Sequence, residues 1–200
     1  MNMEQNDLDA LISENIADLE LALTRVEGVI DPRLNEAAWE ALQRGLADED
    51  YHFEDDDDLD KAWFAPRAWL DKDKDSDPWF RLTSDDSHRR TWLASYIAPR
   101  TDREAIGIQW YHDNLYVRDY KLILEAHTDA LRDIERAGFR RDGNRIYLPI
   151  EFDTQKIAEG LRNDDLAEAM EPVVCAAGAL LNAREAFQRL RDAMVAKASA

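Results

Sequence analysis

Nine carboxylates stand between Asp48 and Asp60 with no lysine or arginine among them: Asp48, Glu49, Asp50, Glu54, Asp55, Asp56, Asp57, Asp58 and Asp60. Further on, Asp71, Asp73, Asp75 and Asp77 alternate with Lys72, Lys74 and Ser76. Clustered carboxylates can hold a hard cation, imitate a phosphate backbone, or attract a basic protein surface. The second cluster has the start of a calcium loop but not its ending. Counted from Asp71, position six is Ser76 where such a loop needs glycine, and position twelve is Leu82 where it needs a bidentate glutamate. Asp71, Asp73, Asp75 and Asp77 are therefore weak metal candidates, and a solvated loop is expected. If extended, the four lie along one side about 6.6 Å apart. Duplex DNA carries one charge per about 1.7 Å of axis, so phosphate mimicry would need both acidic stretches together.

The charge is confined to one end of the chain. Residues 1–86 hold 25 Asp and Glu against 8 Lys and Arg, and residues 87–200 hold 18 against 17. A protein adapted to salt would spread its acids over the whole surface. A strongly acidic half is repelled by phosphate backbones and anionic lipid heads, so direct nucleic-acid or membrane binding is not expected there. The complementary partner is a basic protein, such as a nucleic-acid-handling enzyme or a toxin. Trp63, Phe64 and Trp69 follow the acidic run and are expected to add apolar anchoring to such a contact.

Signs of catalysis are few. His127 falls on an apolar helical face, where a packed histidine is the expectation, and His52, His88 and His112 share no metal-ligand spacing. The lone Cys175 cannot form a disulfide within the chain and reads as a small buried hydrophobe. Glycine-rich phosphate loops and nucleophile elbows are missing, and no cofactor is expected. Arg140, Arg141 and Arg145 form the one local basic cluster, around an Asp-Gly turn. An enzymatic alternative would have to assemble a site from Asp113, Asp119, Lys121 and Glu151, which are scattered along the chain.

These residues need a folded body to hold them, and 45% apolar residues with six Trp, six Tyr and six Phe supply one. Residues 6–28 carry Leu8, Leu11, Ile12, Ile16, Leu19, Leu23 and Val26 at helical spacing, and Asp31 with Pro32 opens a second helix that Gly45 loosens. A tight connection from Gly28 to Asp31 would make these a helical hairpin. Residues 47–60 read as extended or loose by self-repulsion unless something cationic holds them, with Tyr51 and Phe53 able to pin them to the body. Period-two alternation predicts strands at 79–83, 90–98 and 105–111, then a helix at 119–137 ended by Gly138, and a fourth strand at 146–150 that Pro149 places at a sheet edge. Asp153 caps a short helix. Glu171 and Pro172 open a long one whose Val173, Ala177, Leu180, Ala183, Phe187, Leu190 and Met194 form a near-heptad stripe, a possible seam for self-association.

The order helix, three antiparallel strands, helix, strand over residues 33–150 resembles the core of the PD-(D/E)xK nuclease-like fold. That resemblance implies an acid on the second strand and an Asp/Glu-x-Lys triplet on the third, holding a metal that activates water. The third predicted strand here is Ala105-Ile106-Gly107-Ile108-Gln109-Trp110-Tyr111, without carboxylate or lysine, and Asp119-Tyr120-Lys121 opens a helix instead. A relative of that fold would be catalytically inactive.

The expectation is thus an α+β protein: a helical hairpin at 1–46, an acidic and aromatic connector at 47–78, a mainly antiparallel βββαβ unit at 79–152 and C-terminal helices at 153–200. Residues 1–15 lack the basic start and apolar run of a signal peptide, and no run of apolar residues spans a bilayer, so the cytoplasm is the expected compartment. Its function reads as non-enzymatic: it binds or inhibits a basic partner, as an inhibitor, an immunity-type protein or a DNA mimic does.

Overall fold

The computed structural model describes residues 3–56 (side chains from Asp7 onward), 59, 61–72, 76–84, 91–99, 101 and 104–198. The fold is α+β, built on a six-stranded antiparallel sheet. Its strands are β1 (Tyr51–Glu54), β2 (Trp63–Pro66), β3 (Trp79–Thr83), β4 (Gly107–Tyr111), β5 (Arg140–Asp142) and β6 (Arg145–Pro149), in the order β1-β2-β3-β4-β6-β5. The helices are α1 (Met3–Glu14), α2 (Ile16–Arg25), α3 (Asp31–Gly45), α4 (Trp92–Ile97), α5 (Val117–Ala126), α6 (Thr128–Arg136), α7 (Thr154–Asn163) and α8 (Glu171–Ala198).

Alternation along the strands turns Phe64, Phe80, Leu82, Ile108, Trp110, Ile146 and Leu148 to one side, where all are buried. Helix α8 lies against that side. Its Phe187 ring meets Phe80 edge-on at 5.0 Å, stacks on Trp110 at 4.5 Å and meets Phe139 at 5.0 Å. Helices α3, α5 and α6 pack around α8 in turn. The predicted stripe from Val173 to Met194 is therefore buried inside the chain's own core, and it is not available as a seam between copies.

Four expectations are overturned. No hairpin turns at Gly28: the chain runs from α2 through a π-helical segment, Val26–Ile30, directly into α3. The stretch expected as a middle strand is the helix α4, because the buried carboxylate of Asp31 accepts from the backbone N–H groups of Trp92 at 2.8 Å and Leu93 at 2.7 Å, and Thr91 accepts from Ala94 N–H. The element order on which the nuclease-like resemblance rests is thereby lost. The third is the acidic connector, which folds as the hairpin β1–β2 and extends the sheet. Finally, β6 is not an edge strand, since β4 and β5 flank it and Pro149 is tolerated as its last residue, opposite Gly107.

The predicted helix at 119–137 is two, broken at His127, which is half-buried and whose Nδ1 donates to the Ile123 carbonyl at 2.9 Å. Gly45 has a different reason from a loosened end. A Cβ built there would lie 2.7 Å from Cβ of Ala177, so the absent side chain lets α3 approach α8.

Alanine in place of glycine inside a helix is ordinarily stabilising by roughly 0.5–1 kcal/mol. At Gly45 the sign reverses, so Gly45→Ala lowers the urea midpoint. Asp31→Ala removes the carboxylate that caps two part-buried N–H groups of α4 and destabilises by about 1–3 kcal/mol in the same measurement.

Candidate functional site

The acidic run is held by cations from elsewhere in the chain. Glu49 pairs with Arg184 of α8 at 2.7 Å, and Asp50 pairs with Arg67 at 3.1 Å. Tyr51 and Phe53 point to the core side of β1, with Phe53 stacked on Phe64 at 5.7 Å. On the opposite side His52 lies 3.3 Å from Glu54 and rests against the Trp63 ring at 5.3 Å. Self-repulsion is thus overcome by two guanidinium contacts and an aromatic strand pair.

Asp48, Asp50, Glu54, Asp55 and Asp56 are exposed, and Glu49 is half-buried. Asp57, Asp58 and Asp60 lie outside the described residues, as do Asp73, Asp75 and His88. Asp55 accepts a short hydrogen bond from the indole N–H of Trp39 and another from Gln43 at 3.3 Å, which ties the end of β1 to α3. Between α3 and this segment lies an open groove of about 700 Å³, lined by Pro32, Asn35, Glu36, Trp39, Asp55, Asp56, Leu59 and Ala62. Trp39, Pro32 and Leu59 supply apolar walls, while Glu36, Asp55 and Asp56 supply carboxylates. Such a surface fits a lysine or arginine, whose methylene stem lies on apolar groups while its head reaches an acid.

The predicted aromatic anchors stand elsewhere. Phe64 and Trp69 are buried, and the Trp69 indole donates to Gln188 at 2.5 Å, so neither is offered to a partner. Both face the aromatic core from the inner side of the chain, which is what their large apolar area favours. Trp63 is half-buried under His52. Trp39, which the sequence pattern did not single out, is the indole beside the acids. Its only signal was a tryptophan one turn from Glu36 on an amphipathic helix.

Of the four alternating aspartates, only Asp71 and Asp77 lie within the described residues, and they differ in surroundings. Asp77 turns into the fold, where it accepts from the backbone N–H groups of Asp113 at 3.1 Å and Asn114 at 2.9 Å, while Asp71 is exposed. Among the described residues, no group of three His, Cys, Asp or Glu is placed to hold a metal ion.

Three of the scattered acid and lysine candidates have different partners or surroundings. Asp119 lies 3.6 Å from Lys197, Lys121 pairs with Glu125 at 3.8 Å, and Glu151 lines a separate cleft with Asp153, Lys156 and Glu171. Cys175 is exposed beside that cleft, not buried, because it falls on the outward side of α8 next to buried Ala176 and Ala177. Arg145 of β6 donates to Gln109 of the neighbouring β4 and lies over the Tyr147 ring at 5.2 Å, and Arg141 donates to the Gly143 carbonyl, so these two cations are engaged within the sheet and the β5–β6 turn. His112 sits against the Tyr120 ring at 4.0 Å, and burial lowers its pKa against the opposing pull of Asp77 and Asp113. No helix among the described residues is long and apolar enough to cross a membrane.

Burial pushes the Tyr51 phenol up to about 12, with Arg184 opposing and Glu49 reinforcing the shift. Between pH 10 and 12 the unfolded chain releases this proton while the folded chain keeps it, so stability falls as pH rises, by at most about 1.4 kcal/mol per unit. Urea midpoints at pH 9 and 11.5 are expected to drop more for the native chain than for Tyr51→Phe.

No family model, curated protein or solved structure matches the chain, so its function is to be read from this geometry.

Proposed function

We propose that the protein is a non-enzymatic binder of a basic protein partner, docking it on the acidic hairpin and the groove beside α3. The observation that carries this reading is the pairing of apolar walls with a carboxylate rim in one open groove: Trp39, Pro32 and Leu59 next to Glu36, Asp55 and Asp56. A cationic side chain gains there both stem burial and charge, which single exposed carboxylates do not give. The excess of acids in residues 1–86 adds steering toward a cationic surface and disfavours anionic partners. An inhibitor or immunity-type protein for a toxin or nucleic-acid-handling enzyme has this chemistry. Occlusion of a DNA-binding groove is one form that inhibition would take.

The test is affinity capture from the source cell with a salt gradient, comparing the native chain with one carrying Glu36→Gln, Asp56→Asn, Asp57→Asn and Asp58→Asn. Asp55 is left intact because it holds Trp39. A basic protein should be retained by the native chain, released by moderate salt, and retained several-fold less by the variant. Equal retention by both chains, or the absence of any basic protein among those retained, would sink the proposal.

A further inference from the structure

The amphipathic pattern forms helix from Met3 onward, and the apolar side of its first part, from Leu8 to Leu19, is left exposed, while Leu23 and Val26 further along are half-buried. Leu8 is 53% exposed, Leu11 57%, Ile12 41%, Ile16 48% and Leu19 48%, and α2 contributes no buried residue to the core. A surface helix normally buries that stripe, and a run of large exposed aliphatics marks a contact surface. Ile30, the last residue of the π-helical segment, packs half-buried against the core, and full burial begins at Asp31 and Leu34.

Ile12, Ile16, Leu19, Leu23 and Val26 are spaced four, three, four and three, which is the a/d repeat of a coiled-coil seam. At about 1.5 Å per residue they span roughly 21 Å, from the end of α1 across the interruption at Asn15 and along α2 to the first residue of the π-helical segment. The positions flanking the seam are Ser13, Glu20 and Glu27 on one side and Asn15 and Ala22 on the other. From Asp7 to Ile30 the helix carries six carboxylates, Asp7, Asp9, Glu14, Asp18, Glu20 and Glu27, and a single base, Arg25. All seven are exposed.

We infer that this seam receives an amphipathic helix of the partner, apolar along its own a/d positions and bearing lysine or arginine at the positions that flank them. The inference rests on the reading of the chain as a binder of a basic protein, and it names the segment of that protein which docks. Charge complementarity selects this occupant. A second copy would set six carboxylates and one guanidinium against the same set, whereas a lysine-flanked helix meets the carboxylates of α1 and α2, Glu20 beside the seam among them, with opposite charge. The apolar seam supplies the burial and the flanking charges supply the selection.

The probe is a labelled 28-residue synthetic helix with leucine at a and d and lysine at e and g, titrated against the full chain by fluorescence anisotropy, with a counterpart carrying glutamate at e and g. The lysine peptide is expected to bind at least tenfold tighter than the glutamate peptide. Ile16→Asp together with Leu19→Asp is expected to weaken it at least tenfold while leaving the thermal midpoint unchanged, because neither side chain belongs to the core. Glu36→Gln with Asp56→Asn should leave peptide binding within about twofold, which separates failure of the seam from failure of the groove. Equal binding of both peptides, or undiminished binding by the aspartate variant, overturns the inference. So does a native chain that sediments as a dimer and becomes a monomer in that variant, since a second copy would then be the occupant.

Discussion

One face of α8 organises the molecule. Phe187 drives into the aromatic core between Phe80, Trp110 and Phe139, and on the same helix Arg184 before it and Gln188 and Arg191 after it stand at helical spacing. Arg184 takes Glu49, Gln188 takes the Trp69 indole, and Arg191 lies over the Trp69 ring and donates to its carbonyl. The insertion of one phenylalanine therefore also aims the groups that hold the acidic hairpin against the body. Ring packing of this kind is worth about 3–5 kcal/mol per buried aromatic, far more than the exposed ion pairs it positions. The location of the carboxylates is thus decided by hydrophobic packing, and the ion pairs refine it.

What could be read from the sequence follows the range of the forces involved. The final helix and its buried stripe were legible because periodicity, Glu171 and Pro172 all lie within the segment itself. The same holds for the Asp153 cap, which accepts from Gln155 N–H at 2.8 Å, and for the Gly138 turn, with φ at 104°. Residues 92–97 were not legible, because the carboxylate that caps them belongs to Asp31, sixty-one residues earlier. Nor was the strand at 51–54. Its acids argue for repulsion, and the guanidinium that offsets them at Glu49 comes from position 184.

The candidate site divides in the same way. The acidic character of residues 48–56 was plain from composition, yet the side chain that gives the groove an apolar wall, Trp39, sits on a helix whose role looked purely structural. The aromatics that follow the acids in sequence, Phe64 and Trp69, went to the core: Phe64 by alternation along β2, which sends neighbours to opposite faces, and Trp69 from the short 3-10 turn Arg67–Trp69 after it. An amphipathic helix is legible as a pattern, but whether its apolar side meets the chain's own core depends on where the following segment leads. Here α3 leads into the core and α2 does not.

The π-helical segment at Val26–Ile30 separates these two fates by simple geometry. A turn that takes in one extra residue rotates everything beyond it by roughly 100° about the helix axis. The stripe before the segment and the stripe after it are consequently set in angular phase by those five residues, independent of how well either one packs. The apolar character of the stripe on α2 and the direction in which it faces relative to the body thus become separate properties of the chain. The first is written in the aliphatic residues, and the second in a local count of residues per turn.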